Sequence, residues 1–274
     1  MRASNHWVIF SDLDGTLLDH ETYSFEGAAE GLRRLKEAGI PLVLCTSKTR
    51  AEIEEIRRDL GNRDPFITEN GGAVFIPEGY FPFVPPGAEK FGPYQVIPLG
   101  TPYADLRRGL LTIRTRLRIP LPGFGDMTPG EIGARTQLPR PDLAKLREYD
   151  EPFLVNDPSW EKAVHREARD LGLQVMKGGR FHHLTGESDK GKAIEILIQC
   201  YRRSLGQLRT VGLGDSANDR PLLKAVDIPI LVRRSSGDYA EGIDLPELIR
   251  TSGQGPAGWN EAILSLLARP GNPE

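Results

Sequence analysis

Trp7-Val8-Ile9-Phe10-Ser11-Asp12-Leu13-Asp14-Gly15-Thr16 is the stretch whose reading decides the fold. Its apolar run suits a strand buried on both faces, and it ends in two acids spaced two apart. Residues i and i+2 of a strand point to one side, so Asp12 and Asp14 can face a common site. In open α/β folds that site lies at the carboxyl edge of the sheet. Two carboxylates held close together need a cation or a shared proton. Such a pair suits a nucleophile, a general acid/base and a divalent metal. An Asp-x-Asp-Gly segment alone is equally a surface turn, and the strand in front weakens that reading.

Outward from this strand the chain alternates strand and helix. Residues 24–38 predict a helix, with Phe25, Ala28, Ala29, Leu32 and Leu35 at helical spacing and Gly39 ending it. Residues 40–45 predict a second buried strand, 49–60 a helix, and 66–68 and 73–76 short strands around Asn70-Gly71-Gly72. Near Pro82 the texture changes. Pro82-Phe83-Val84-Pro85-Pro86-Gly87 reads as a linker. Beyond it, helices are predicted at 104–117, from Thr128 and at 157–171, with a strand at 152–155 and a hairpin across Gly178-Gly179. From Asp189 the first texture returns, with helices at 190–201, 218–226 and 259–268 and strands at 210–213 and 228–232. The expected architecture is α/β: a Rossmann-like parallel-sheet core from residues 1–83 and 187–274, interrupted over 84–186 by an inserted α+β unit.

Composition narrows the function classes. The 274 residues are 39% hydrophobic and 27% charged, with a formal net charge of -3. That balance provides no basic field for nucleic acid or a membrane surface. No stretch approaches the ~20 apolar residues of a membrane span. The chain enters its first strand within a few residues of Met1, without a secretory signal, and its two cysteines, Cys45 and Cys200, form no disulfide framework. A cytoplasmic protein acting on a small molecule is expected, and its oligomeric state is not legible.

Three further motifs lie just past predicted strands or at helix starts. Thr46-Ser47-Lys48 offers hydroxyls and free N–H groups suited to a phosphate, although Thr or Ser there is more often a helix cap. Asp189-Lys190-Gly191-Lys192 opens a helix, and Lys190 could hold a phosphate against Asp12, where a solvated lysine is the commoner role. Gly214-Asp215-Ser216-Ala217-Asn218-Asp219 carries carboxylate and amide oxygens, hard ligands suited to Mg²⁺, on what could also be a capping turn. Each is weak alone. In this order, each at such a junction, they reinforce one another.

These four motifs resemble those of the haloacid dehalogenase superfamily of phosphatases. The resemblance implies that Asp12 attacks phosphorus and forms an aspartyl-phosphate, and that Asp14 protonates the leaving oxygen and then deprotonates water. It implies Mg²⁺ held by Asp12, Asp215 and the carbonyl of Asp14, supported by Asn218 and Asp219. Thr46, Ser47 and Lys190 would hold phosphoryl oxygens, and the insert would be a cap. Asp14 must then carry a proton near neutrality, against an ordinary carboxyl pKa of ~3.9.

Gly123-Phe124-Gly125-Asp126-Met127-Thr128, the run from Leu146 to Phe153, Thr46 to Arg50, Glu69 to Gly72 and Gly255 to Asn260 resemble the mannosyl-3-phosphoglycerate phosphatase family. That resemblance spans nearly the whole chain. It implies hydrolysis of a glycosyl-3-phosphoglycerate to a glycosylglycerate, a compatible solute. Within the cap, Arg147 or Arg180 could pair with the carboxylate. Asp126, Glu148, Glu151 and His182 could bond sugar hydroxyls, though each is more often a structural or solvated group. His182 and His183 should point to opposite faces of a strand. The readings held beside this one are a phosphatase of another sugar phosphate, whether glucosyl-3-phosphoglycerate or a sucrose- or trehalose-type phosphate, and a regulator that binds a phospho-metabolite without turnover.

Overall fold

The computed structural model describes residues 6–178, 181–187 and 189–268. A nine-stranded sheet and a three-stranded sheet organise it. The chain enters the large sheet with β1 (His6–Ser11), then runs through α1 (Ala29–Glu37), β2 (Leu42–Cys45), α2 (Arg50–Leu60), β3 (Phe66–Thr68) and β4 (Ala73–Pro77). A hairpin, β5 (Glu89–Phe91) and β6 (Tyr94–Pro98), follows. The insert contains α3 (Tyr103–Leu117), α4 (Pro129–Thr136), α5 (Pro141–Ala144), β7 (Glu151–Phe153), α6 (Glu161–Asp170), β8 (Gln174–Gly178) and β9 (Phe181–Thr185). The chain returns with α7 (Lys190–Leu205), β10 (Leu208–Gly214), α8 (Arg220–Lys224), β11 (Ile228–Arg233), β12 (Ile249–Gln254) and α9 (Gly255–Leu267).

The large sheet has the order β12-β11-β10-β1-β2-β3-β4-β6-β5. Its first six strands are mutually parallel, so their carboxyl ends share one edge. β1 lies between β10 and β2, with Ser11 opposite Leu213 and Leu44. Along β1 the side chains alternate between two apolar layers. Trp7 and Ile9 pack with α1, α2 and α9, through Leu35, Ile53, Trp259 and Ile263. Val8 and Phe10 pack with α7 and α8, through Ile194, Leu197 and Leu222. A strand covered on both faces needs apolar residues at every position, which is what this stretch provides.

The sequence places the end of the first core segment at residue 83. The structure moves it. β6 pairs with β4 and β5 with β6, both antiparallel, so the hairpin extends the large sheet and the insert begins after Pro98. Pro82 to Gly87 is a loop within the core. Two other strands carried little signal. β12 is an edge strand with only Thr251 buried, and β5 is exposed throughout. The insert has its own core, with Leu106, Leu110, Ile113, Phe153, Val164 and Leu184 between the small sheet and α3 and α6. It is α+β, on an antiparallel sheet ordered β7-β9-β8.

Candidate active site

Asp12 follows β1, Thr46 follows β2, and Asp215 follows β10, so three parallel strands deliver them to one edge. Gly15 allows the chain to turn there. It adopts φ +77°, and a β-carbon on it would stand 2.8 Å from Asp215 Oδ2. Thr16 Oγ1 donates to Asp215 Oδ1 at 3.1 Å, tying the loop after β1 to the loop after β10.

Lys190, at the start of α7 and 1% exposed, lies between two acids. Its Nζ donates to Asp12 Oδ1 at 2.7 Å and to Asp219 Oδ1 at 2.6 Å. Burial works against its charge, but Asp12 and Asp219 outweigh that and raise its pKa. Asp219 Oδ2 accepts from Ser216 Oγ and from the N–H groups of Asp215 and Ser216. Asp219 therefore anchors both Lys190 and the turn after β10. Carboxylate oxygens of Asp12, Asp215 and Asp219 lie within 4.8 Å of one another, an arrangement that can hold a metal ion. Asp12 and Asp215 keep the oxygens least engaged by the protein.

Burial and mutual repulsion raise these acids when no cation is added. Burial, then Asp219, pushes the Asp12 carboxyl well up. The same two causes carry Asp215 from its ordinary 3.8 to about 7. A carboxyl raised in the folded state binds more protons folded than unfolded between those values. Its contribution to stability is therefore present at low pH and is lost as pH rises through the window from about 4 to about 7. We expect the metal-free Asp215→Asn protein to melt above the metal-free wild type at pH 8. The two should converge near pH 5, and equal melting temperatures at pH 8 would refute the repulsion. Asn keeps the oxygen that accepts from Thr16, so the comparison isolates charge.

Asp14 is held by a residue that the sequence places in a phosphate-binding loop. Lys48 Nζ is 2.8 Å from Asp14 Oδ2, and the ammonium also lies 4.9 Å from the Tyr23 ring centroid. Asp14 Oδ1 is buried and has no hydrogen-bond partner among the described residues. Thr49, one residue beyond Lys48, caps α2 in a capping box with Glu52. Thr46 is 1% exposed, and its carbonyl accepts from Asn70 N–H. Asn218 Nδ2 donates to Asn70 Oδ1 at 3.3 Å, and Ser216 Oγ donates to Asn218 Oδ1. Burial pushes the Cys45 thiol up, as befits a core residue.

A cavity of about 390 Å³ opens over this edge, between core and insert. Asp12, Asp14, Ser47, Asp215 and Asn218 line it from below, with His20, Asn70, Ser216 and Arg234. Met176, Lys177 and His183 line it from the insert. His183, not His182, faces the site. His182 pairs across the strands with Phe153 and Lys177, on the face that packs against α3 and α6. There its Nε2 lies 3.4 Å from Glu161 Oε1. His183 lies on the opposite face with Met176, and its Nδ1 lies 2.7 Å from Asp150 Oδ2.

The other insert residues singled out by sequence go elsewhere. Arg147 is buried at the seam, donating to Ser47 O at 2.8 Å, to Ala144 O and to Asp150. Glu148 takes Arg50 Nε at 3.2 Å. Its N–H and that of Tyr149 donate to Glu69, whose carboxyl burial raises to about 8. Asp126 and Glu151 lie inside the insert. Arg107 Nη1 reaches Glu151 at 2.6 Å, and Arg114 Nη2 reaches Asp126 at 2.6 Å. Burial opposes ionisation of Asp126, but Arg107, the Gly123 N–H and Arg114 hold its carboxyl well below the usual range. None of the four lines the cavity. Arg180 lies outside the described residues.

Comparison with known proteins agrees with this arrangement. Residues 9–80 match the haloacid dehalogenase-like hydrolase model. A glucosyl-3-phosphoglycerate/mannosyl-3-phosphoglycerate phosphatase of Methanococcoides burtonii is 45% identical over 97% of this chain and 98% of its own. A mannosyl-3-phosphoglycerate phosphatase of Pyrococcus furiosus is 38% identical over 86% of this chain and 95% of its own. A Thermoplasma acidophilum protein of known structure superposes with a TM-score of 0.70 at 17% identity, covering 95% of this chain and 98% of its own, which establishes a shared fold. With a relative this similar along almost the whole chain, the protein belongs to the mannosyl-3-phosphoglycerate phosphatase family of haloacid dehalogenase-like hydrolases.

Proposed function

We propose that the protein is a Mg²⁺-dependent phosphatase that releases phosphate from mannosyl-3-phosphoglycerate and glucosyl-3-phosphoglycerate through an aspartyl-phosphate. The observation that carries it is the pair Asp12 and Asp14 on the floor of a cavity lined also by the insert, with Asp12 bonded to Lys190 and Lys190 to Asp219, both buried. Both hexoses are included because the Methanococcoides burtonii relative bears both names.

In this reading a carboxylate oxygen of Asp12 bonds to phosphorus as the ester oxygen leaves. Lys190, 2.7 Å from Asp12 Oδ1, stands beside the attacking group and holds a phosphoryl oxygen, with Thr46 and Ser47 on the neighbouring loop. The free, buried Oδ1 of Asp14 is the atom positioned to give its proton to the leaving alkoxide. The resulting carboxylate then takes a proton from the water that cleaves the aspartyl-phosphate, restoring both acids. Lys48 fixes the other oxygen of Asp14 throughout. Asp12, Asp215 and the Asp14 carbonyl would hold Mg²⁺, with Asn218 and Asp219 fixing the loop around it. When bound, the ion supplies the positive charge that keeps these acids ionised and neutralises phosphoryl oxygens.

The test is a panel of phosphate esters assayed with Mg²⁺. Both glycosyl-3-phosphoglycerates should exceed sucrose 6-phosphate or trehalose 6-phosphate in kcat/KM by about 10²-fold or more. A preference for a phosphosugar that lacks glycerate would overturn the substrate assignment. Tight binding with no phosphate release from any ester would favour a regulator.

A further inference from the structure

Phosphoryl chemistry does not account for every polar group that lines the cavity. Lys190 and Lys48 already face acids at its floor. Arg234 and His183 do not belong to that set. Arg234 follows β11, the parallel strand next to β10, and so reaches the same carboxyl edge as Asp215. Its Nη2 donates to Asp238 Oδ2 at 2.7 Å and to Tyr239 O at 3.0 Å, which fixes the guanidinium from one side. Its Nε is buried and has no acceptor among the described residues. Across the cavity, the His183 ring is fixed through Nδ1 by Asp150, which is fully buried and also receives Arg147. The Asp150 carboxylate accepts from Nδ1–H, so Nε2 donates to an anion only in the doubly protonated ring, and an anionic ligand would be met by the imidazolium.

We infer that Arg234 and His183 form a subsite for a second anion on the substrate, a carboxylate, gripped between the core and the insert. The inference rests on the phosphatase reading. The floor of the cavity is acidic and is matched to a cation and a phosphoryl group. A further anion on the same molecule must lie away from that floor, where Arg234 and His183 stand. A guanidinium presents a planar set of donors that matches a carboxylate, and a buried donor without a partner favours any ligand that supplies one. A carboxylate bound by both units would also draw the insert onto the core, so the subsite would act in closure as well as in selection.

The experiment compares two esters, a glycosyl-3-phosphoglycerate and its analogue with the carboxylate reduced to an alcohol. The quantity read is the ratio of their kcat/KM values. Wild type should favour the carboxylate by about 10²-fold, and R234M should lower that ratio by about 10- to 100-fold, the loss of one charged hydrogen-bonded contact. H183Q should lower it by several-fold, and R234K should restore only part of what R234M loses, because an ammonium lacks the fork. Equal slowing of both esters, or an unchanged ratio in a protein with the wild-type melting temperature, would overturn the subsite. Calorimetry on the Asp12→Asn protein, with 3-phosphoglycerate and glycerol 3-phosphate as ligands, reads the same preference without turnover. Loss of that preference on adding R234M supports the subsite, and its survival refutes it. Failure of wild type to release phosphate from either ester would instead count against the phosphatase reading, and calorimetry would still decide the subsite.

Discussion

Asp12→Asn is expected to abolish phosphate release, lowering kcat by about 10⁴-fold or more, in a protein that folds as well as the wild type. The amide is nearly isosteric but is a poor nucleophile, so the step that bonds carboxylate to phosphorus is lost. The fold should tolerate the change because the cluster holds more negative charge than its one ammonium balances. Asp12, Asp215 and Asp219 converge within 4.8 Å, and Lys190 is the cation bonded to two of them. Removing one charge relieves repulsion, and the carboxamide that replaces the Asp12 carboxylate keeps an oxygen for Lys190. The metal-free melting temperature should therefore hold or rise while activity disappears. Asp14→Asn should differ. The nucleophile would survive, so the aspartyl-phosphate would accumulate with a good leaving group and be cleaved slowly, which rapid-quench trapping of phosphoprotein would detect. Normal steady-state turnover in Asp12→Asn would sink the mechanism outright.

The site was legible where it depends on a strand's end. An apolar run followed by Asp12 and Asp14 fixes both the central position of β1 and the edge where the acids emerge, because only a strand covered on both faces requires that composition. Thr46 and Asp215 follow by the same rule, each just past a strand parallel to β1. Applied once more, to residues just past β11, that rule would also have found Arg234. What the sequence hid depends on long-range contacts. Lys48 was read with its neighbours as a phosphate loop, and nothing local says that its ammonium reaches Asp14. Asn70-Gly71-Gly72 reads as a turn, and the left-handed backbone of Asn70 and the positive φ of Gly71 bear that out. That Glu69, just before it, binds the returning segment through Glu148 and Tyr149 is tertiary information.

The insert was the hardest part to read, for a physical reason. Arg147, Glu148, Asp126 and Glu151 are charged residues in a unit expected to touch a polar substrate, so each looked like a ligand. They are instead the charges that hold the unit together and to the core. The 390 Å³ cavity is reached by the neighbours of a strand turned the other way. Choosing between His182 and His183 required the register of β9 against β8, which places His182 beside Lys177 and Glu161. Period-two alternation shows only that one histidine faces in, and the hydrophobic partner of the strand decides which. The boundary after residue 83 failed similarly. A proline-rich loop resembles a linker, but β6 beyond it pairs with β4 and puts Tyr94, Val96 and Ile97 into the core, a long-range contact that no local pattern announces.

Lys190→Met should cost both stability and activity, and the loss of stability should depend on pH. Breaking a buried ion pair by deleting one partner typically costs about 3–5 kcal/mol, because the surviving charge is left without compensation. Here two acids are left, Asp12 and Asp219, with Asp215 close by. In a chain of this size each kcal/mol moves the melting temperature by roughly 2–4 °C, so a fall of about 6–20 °C is expected at pH 8 in the absence of metal. Near pH 5 the gap should narrow, since Asp12 and Asp215 have raised pKa values and take up protons as pH falls. Added Mg²⁺ should recover part of the loss at pH 8 by replacing the missing charge, but activity should stay at least about 10³-fold down, because the ion cannot also stand where the ammonium meets the phosphoryl oxygen. Differential scanning calorimetry across that pH range, with and without metal, separates these terms. A Lys190→Met protein that melts with the wild type at pH 8 would mean that the acids are already neutral in the folded, metal-free state. The ammonium would then not be what keeps Asp12 ionised, and its readiness to attack phosphorus would have to come from the bound cation alone.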